Sequence, residues 1–139
     1  MIQLDMSKAF DKISWAYMRQ VLVAYGFHKE SIKWIMEMVF GAFFSILLNG
    51  SPSTPFNNSR GLWQGDPLSP FLFIIAAEGL GRLIKAHLIE GKIQGLKLWG
   101  PNLPLTHQQF VDDTLLFCLA TLKECKAILT ILEIFMAAS

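Results

Sequence analysis

Apolar and polar residues alternate at the beginning of the chain. Ile2, Leu4 and Met6 are separated by single polar residues, which is the two-residue period of a strand with one buried face. The pattern predicts a short strand over residues 2–6. Asp5 should therefore point away from the face that carries Leu4.

Two segments with helical spacing follow this strand. In the first, Ser14 precedes the apolar residues and Gly26 closes the run, so a serine N-cap and a C-terminal glycine bracket a predicted helix. The second segment has one apolar stripe and Gly41 near its end. The stripes consist of Trp15, Met18, Val21, Leu22 and Tyr25 in the first helix and of Ile32, Ile35, Met36, Val39 and Phe40 in the second.

Two further helices are predicted in the second half of the chain. Ser69 as N-cap and Pro70 at the first helical position open a long helix that runs to about Ile89. Thr121 and Glu124 form a capping box before the last helix. The residues expected to be mostly buried are Phe71, Ile74, Ile75, Leu80, Leu83, Ile84 and Leu88 in the long helix, and the apolar stripe of the last helix is Leu122, Ile128, Leu132 and Phe135.

The remaining apolar runs predict strands. Residues 43–48 lead into Asn49-Gly50, a strong hairpin dipeptide, and their partner is expected near 54–58. Residues 93–99 and 105–110 are two more candidates, and 114–118 would return after Asp112-Asp113. The loop 59–70 contains two glycines and two prolines. Strands and helices alternate irregularly, which favours an α+β fold with an antiparallel sheet.

Composition limits the kind of protein. The chain has 139 residues, 53% of them hydrophobic, and a net charge of +1, which predicts one folded domain over residues 1–139 and disfavours a separate DNA-binding module. The longest apolar run, from Met38 to Leu48, is shorter than the about 20 residues of a membrane helix. Two cysteines and no signal peptide predict an intracellular protein, in nucleus or cytoplasm, with no membrane partner.

Three aspartates lie between apolar flanks. Asp112 and Asp113 on their own are most simply a hairpin turn, because aspartate tolerates tight-turn dihedral angles. Asp5 adds a third carboxylate on a predicted strand. Carboxylates that converge from two neighbouring strands could hold two Mg²⁺ ions about 3.5–4 Å apart, the arrangement that assists in-line phosphoryl transfer.

The segments LDMSKAFD, RGLWQGDPLSP and QQFVDDTLLF, in this order, resemble three successive motifs of reverse transcriptases. The likeness is greatest to the enzymes of non-LTR (LINE-type) retrotransposons of plants. It implies a palm-type antiparallel sheet packed against helices and an RNA-directed DNA polymerase, whose partners would be RNA template, DNA primer and dNTPs. Three ordered motifs are far more specific than one.

The resemblance also implies roles for single residues. Asp5 matches the first metal-binding aspartate, and Asp112 and Asp113 match the pair in the hairpin turn. The main-chain carbonyl of Met6 would be a further ligand to two Mg²⁺ ions, with Mn²⁺ as the alternative ion. Phe10 matches the aromatic residue that excludes a 2′-hydroxyl from the incoming nucleotide, although the residues alone favour a core aromatic.

The loop motif suggests contacts to the nucleotide. Gln64 and Gly65 match the segment that contacts nucleotide and template, where glycine permits close approach of the backbone. Arg60 would contact phosphate or template, and a solvated surface arginine is the alternative.

The same likeness predicts what the chain lacks. In the family, the fingers region precedes the position of Asp5 and the thumb follows that of Ser139, so we expect a palm-core fragment that is inactive by itself. The competing hypothesis is a catalytically inactive retroelement remnant or an interaction module.

Overall fold

The computed structural model describes residues 1–41, 43–97 and 104–139, and these ranges form an α+β fold, as predicted. The described helices and strands follow one another irregularly along the chain. The helices are α1 (Ala9–Lys12), α2 (Trp15–Ala24), α3 (Lys29–Phe40), α4 (Ser69–Ile89) and α5 (Leu122–Ala138), and the strands are β1 (Ile2–Asp5), β2 (Leu47–Leu48), β3 (Ser51–Pro52), β4 (His107–Phe110) and β5 (Asp113–Leu116).

A three-stranded antiparallel sheet has the order β1-β5-β4. The central strand β5 pairs with the first strand of the chain, so that Leu4 lies opposite Thr114 and Asp5 lies opposite Asp113. Side chains alternate between the two faces of a strand. Leu4 and Thr114 consequently share the inner face, whereas Asp5 and Asp113 share the outer face, as the alternation at the start of the chain predicts.

The long helix α4 organises the hydrophobic core. It contacts α2 along one stretch and α5 along another. Buried residues of α2, α3 and the first half of α4 form one apolar cluster, and the second half of α4 joins β5 and α5 in another. The helix thus connects the sheet with the helical part of the molecule.

The predicted N-caps of α2 and α5 are confirmed. Ser14 Oγ accepts a hydrogen bond from the backbone N–H of Tyr17 at 3.4 Å, and Thr121 Oγ1 accepts from that of Glu124 at 3.3 Å. The predicted capping box is only half formed, because the carboxylate of Glu124 accepts from the N–H of Leu119 and not from the N–H of Thr121. Each helix therefore begins where its capping residue predicts.

The predicted N-cap of α4 is wrong by one residue. Ser69 is itself helical and buried, and Leu68 occupies the cap position without a side-chain hydrogen bond. Asp66 orders the residues before the helix, because its Oδ1 accepts from the N–H of Leu68 at 2.9 Å and its carbonyl accepts from the N–H of Ser69 at 3.2 Å. Pro70 remains in the first turn, where its absent N–H costs no hydrogen bond.

Several residues predicted to be buried are exposed. Phe71 and Ile74 of α4 are 67% and 66% exposed, and Leu122 of α5 is 82% exposed. The first half of α4 is apolar around most of its circumference, so its sequence does not distinguish the packed face from the open one. The core takes Leu72, Phe73 and Ala76 instead.

The first hairpin is shorter than predicted. Asn49 and Gly50 form its turn with φ angles of 49° and 83°, as the dipeptide predicts. The partner strand begins immediately at Ser51 and does not wait until 54–58, because a two-residue turn pairs the flanking residues directly. An isolated bridge between Phe44 and Phe56 is what remains of the longer predicted pairing.

Two other predictions need correction. In place of a strand over 93–99, the described part has a bridge between Leu96 and Leu105, and residues 98 and 99 lie outside the described ranges. The one-turn helix α1 is not predicted by the sequence. The residue before it, Lys8, has a left-handed backbone with a φ of 54°, and no side chain caps the helix. In the described part of the chain, no helix combines the length and the apolar character needed to cross a membrane.

Candidate active site

Two carboxylates face each other at one end of the three-stranded sheet. Asp5 closes β1 and is the register partner of Asp113, which opens β5. The next residue pair is hydrogen-bonded, because the N–H of Met6 donates to the carbonyl of Asp112 at 3.0 Å. Antiparallel pairs alternate in type, so Asp5 and Asp113 form a non-hydrogen-bonded pair with Cβ atoms about 5 Å apart.

Asp112 lies in the two-residue turn between β4 and β5, directly beyond this pair. The other turn residue, Val111, has a φ of 51°. A β-branched side chain in the left-handed region is an outlier that costs roughly 1–2 kcal/mol. Such strain persists where the surrounding structure enforces it, and it clusters at functional sites.

The end of the sheet is electrostatically unbalanced. Like charges directly opposite on paired strands repel, and the ion pairs in the described ranges, Lys33–Glu37 and Lys92–Glu90, lie elsewhere. Within the described ranges, no three His, Cys, Asp or Glu side chains lie close enough together to hold a metal ion between them. The donor type nevertheless fits Mg²⁺, which prefers carboxylate and carbonyl oxygens and keeps several waters.

An apolar cleft of about 460 Å³ lies beside the turn. Phe10 and Val111 both line it, together with residues of α4 and β4. The ring of Phe10 stacks on that of Phe73 with a centroid distance of 4.4 Å and an interplanar angle of 10°. The stacking therefore holds the ring of Phe10 at the wall of a cleft that reaches Val111 of the turn, although none of the three aspartates lines this cleft.

The loop 59–70 is docked on the segment that follows β1. Leu62 donates its N–H to the carbonyl of Phe10, and Gly61 donates to that of Ile13, both at 2.8 Å. Gly61 has a φ of 87°, and a Cβ atom there would lie 2.8 Å from the carbonyl oxygen of Asp11. Glycine is required at this position both for its dihedral angle and for the close approach.

The predicted nucleotide-contacting residues lie farther along this loop. Gln64, Gly65 and Arg60 are exposed, and Gly65 has a φ of 95° with open space around it. The structure brings the loop to Phe10 through Leu62. In the described ranges neither Arg60 nor Gln64 forms a hydrogen bond or ion pair with the three aspartates.

Sequence reasoning missed a support of the hairpin. The side-chain amide of Gln109 donates to the carbonyl of Ala77 in α4 at 3.3 Å, so it links β4 to the central helix. His107, two residues earlier, packs against Gly81 of the same helix, and burial lowers the pKa of its imidazole. The sequence signal that could have indicated this support is the presence of two polar residues, His107 and Gln109, at alternate positions on the inner face of β4.

Relatives of this chain come from plants and animals. An uncharacterized mitochondrial protein of Arabidopsis thaliana is 40% identical over 68 residues, which cover 49% of this chain and 56% of that protein. The retrovirus-related Pol polyprotein from the type-2 retrotransposable element R2DM of Drosophila melanogaster is 35% identical over 114 residues, 82% of this chain and 10% of the polyprotein. The uncharacterized 149 kDa protein of transposon TX1 of Xenopus laevis is 29% identical over 143 residues, 99% of this chain and 10% of that protein.

The chain thus spans about half of the first relative and a tenth of the other two. The model of the family described as reverse transcriptase (RNA-dependent DNA polymerase) matches residues 1–139. Together with the retrotransposon relatives, this match confirms the resemblance to non-LTR reverse transcriptases that the three motifs predict. The chain belongs to the reverse transcriptase (RNA-dependent DNA polymerase) family.

Proposed function

We propose that this chain supplies the catalytic palm of an RNA-directed DNA polymerase encoded by a retrotransposable element. The observation that carries the proposal is the register of β1 and β5, which sets Asp5 opposite Asp113 beside the Asp112 turn. Paired like charges at an exposed sheet end are unfavourable without a cation. The family match gives this arrangement its chemical context.

Asp5, Asp112, Asp113 and the main-chain carbonyl of Met6 would hold two Mg²⁺ ions, with Mn²⁺ as the alternative. Bound there, the ions would activate the primer 3′-hydroxyl and neutralise charge on the triphosphate during in-line transfer. The backbone hydrogen bond from Met6 to Asp112 joins the two segments that carry these oxygens. Val111, with its left-handed backbone, is the other residue of the turn that carries Asp112.

Phe10 would act on the sugar of the incoming nucleotide. Its stacking on Phe73 fixes the ring at the wall of the cleft that Val111 also lines. A rigid aromatic wall disfavours an additional 2′-hydroxyl, so deoxynucleotides would be preferred. Gln64, Gly65 and Arg60, on the loop attached to Phe10 through Leu62, would contact the nucleotide and the RNA template.

A metal-binding experiment tests the site without requiring catalysis. Mn²⁺ is added to the isotope-labelled chain, and paramagnetic broadening of amide signals is measured by NMR. We expect broadening to concentrate at 4–6 and 111–114 and to fall strongly in Asp113→Asn. Glu133→Gln, which removes an exposed carboxylate on α5, is the matched control. Equal broadening in both variants would contradict the metal site.

Activity is tested in a longer polymerase. The segment of the R2DM polyprotein that matches this chain is replaced by it, and primer extension on an RNA template is measured with dNTPs and Mg²⁺. We expect Asp112→Asn to lower extension by about 10² or more, the scale for loss of transition-state charge stabilisation. Phe10→Ala should raise ribonucleotide incorporation relative to deoxynucleotide incorporation. A folded chimera without extension would contradict the proposal.

The isolated chain should show little extension. Positioning of reactants contributes about 7–11 kcal/mol to a two-substrate reaction, and the fingers and thumb are the parts expected to hold template, primer and triphosphate. Extension by the isolated chain that disappears in Asp112→Asn would show that the palm alone suffices.

An interaction module is the second candidate. Ile46, Leu47 and Leu48 expose large apolar side chains on the first hairpin, as surfaces that contact another protein do. A chain that binds no Mn²⁺ at 111–114 but associates through this hairpin would favour this function.

A further inference from the structure

The chain between Asp5 and Phe10 runs beside the candidate active site and is held at both ends. At one end, the N–H of Met6 donates to the carbonyl of Asp112 at 3.0 Å. At the other end, the carbonyl of Phe10 accepts from the N–H of Leu62 at 2.8 Å. In the proposed function, Asp5 serves the metal-bound phosphates of the incoming nucleotide and Phe10 serves its sugar. The residues between them therefore border the path of the triphosphate.

Lys8 is the cation in this stretch. It is exposed, and its backbone is left-handed with a φ of 54°, an uncommon conformation for lysine. Its carbonyl accepts from the N–H of Asp11 at 3.0 Å, which starts the single turn of α1. The ion pairs in the described ranges join other residues. Among the residues that the structure describes, the Lys8 ammonium thus has no carboxylate partner.

The side chain of Lys8 is long enough to reach the metal-binding end of the sheet. Successive Cα atoms are about 3.8 Å apart, so the Cα atom of Lys8 lies within about 7.6 Å of that of Met6. The hydrogen bond to Asp112 holds Met6 at the turn. A lysine side chain extends about 6 Å from its Cα atom. The ammonium is therefore within range of a triphosphate bound through metal ions to the aspartates.

The charge balance of the loaded site favours a cation at this position. The carboxylates of Asp5, Asp112 and Asp113 and a triphosphate with about four negative charges exceed the charge of two Mg²⁺ ions by about three. More negative charge develops on the pyrophosphate as it leaves. A lysine ammonium neutralises one of these charges and donates to phosphate oxygens as a mobile point charge.

We propose that Lys8 binds the β- and γ-phosphates of the incoming deoxynucleoside triphosphate through its side chain. The inference rests on the proposed function, because the metal ions bring the triphosphate to the aspartates. The contact exists both before and during phosphoryl transfer. Its loss therefore raises the KM for dNTP more than it lowers kcat.

The test measures steady-state primer extension by the chimera of this chain with the R2DM polyprotein. Lys8→Asn removes the charge and keeps a residue that tolerates a positive φ angle, so the backbone is preserved. We expect the KM for dNTP to rise about tenfold, the effect of one charge-assisted hydrogen bond. The KM for the primer-template should stay unchanged. Lys8→Arg, which keeps the charge, should restore most of the affinity for dNTP.

Inhibition by pyrophosphate gives a second measurement. Pyrophosphate retains the two phosphates that Lys8 binds, so its inhibition constant should rise in Lys8→Asn in the same proportion as the KM for dNTP. The matched control is Lys12→Gln, which removes the same charge from a residue that lies beyond Phe10 in the chain. We expect this variant to leave both constants unchanged.

Three results would overturn the inference alone, when the wild-type chimera extends the primer and Asp112→Asn does not. They are an unchanged KM for dNTP in Lys8→Asn, an equal rise in Lys8→Arg, and an equal rise in Lys12→Gln. The second would indicate an effect of the backbone, and the third an effect of net charge. A folded wild-type chimera without extension would contradict the proposed function and this inference together.

Discussion

The molecule contains two hairpins whose turns have the same length but differ in how well their residues tolerate a positive φ angle. Both the β2–β3 and the β4–β5 hairpin turn through two residues. In the first, Asn49 and Gly50 adopt positive φ angles that these residue types tolerate well. In the second, Val111 adopts a φ of 51° that its branched side chain disfavours, and an aspartate follows it.

The two hairpins also differ in how much the rest of the molecule supports them. The first hairpin is exposed along both strands, so its turn must form with little help from packing. The second hairpin contributes the central strand β5 of the sheet, and Gln109 attaches its other strand, β4, to α4. The turn with favourable residues thus lies where local preference must suffice, whereas the strained turn lies where packing against the rest of the sheet and α4 can enforce its conformation.

The largest expected difference between the hairpins is the loss of stability when a leucine of one of their strands is replaced by alanine. Leu116 of β5 is 2% exposed, and Leu48 of β2 is 63% exposed. We expect Leu116→Ala to lower the free energy of unfolding by about 2–5 kcal/mol, and Leu48→Ala to change it by less than about 0.5 kcal/mol. Urea denaturation followed by circular dichroism measures both. Similar losses in the two variants would contradict the comparison.

Exchanging the residue types between the two turns should change the free energy of unfolding by an intermediate amount. Val111→Asn relieves a left-handed conformation and should stabilise the chain by about 1 kcal/mol, while Asn49→Val should destabilise the first hairpin by a similar amount. Val111→Thr, which keeps the branched side chain, is the control. Hydrogen exchange of β2 and β4 amides separates local from global effects. Stabilisation by Val111→Thr equal to that of Val111→Asn would show that strain is not the cause.

The opposed carboxylates provide a smaller test. Without divalent cations, Asp113→Asn should raise the free energy of unfolding by about 0.2–1 kcal/mol, because it removes a like charge opposite Asp5. The gain should shrink at high salt, which screens exposed charges. A gain that is independent of salt would mean that the repulsion is not its source.

The smallest expected effect is a dependence on pH. Burial lowers the pKa of His107 below its ordinary value of 6.5, although nearby Glu78 acts in the opposite direction. The unfolded chain therefore binds the proton more readily, and stability is lost as the pH falls through 6.5 towards the lowered value. His107→Gln should reduce this loss. The first hairpin has no titratable group between Leu47 and Pro52, so its exchange protection should change less once intrinsic rates are corrected.

Local signals in the sequence were sufficient for much of the fold. Ser14 and Thr121 predict the starts of α2 and α5 because a capping hydroxyl needs only its neighbours. The strand alternation at Asp5 predicts its face, and the predicted adjacency of its strand to that of Asp113 is confirmed. The proposed sharing of metal ions by these residues stays a prediction.

The features that could not be predicted from the sequence depend on tertiary contacts. Whether Phe71 or Leu72 of α4 faces the core depends on where α2 and α5 pack, and both residues are apolar. The roles of Gly61 and Gln109 depend on partners about 50 and 30 residues away, Asp11 and Ala77. Neither partner is marked by any local pattern.

The pairing of β1 with β5 also has a consequence for folding order. The hairpin of β4 and β5 closes a local loop, whereas β1 must wait for a partner more than a hundred residues later in the chain. Non-local pairings of this kind form slowly. At a synthesis rate of roughly 5–20 residues per second, the first strand stays unpaired for about 6–20 s on the ribosome. The opposed aspartates therefore meet only after helices α1 to α4 and the second hairpin have been synthesised.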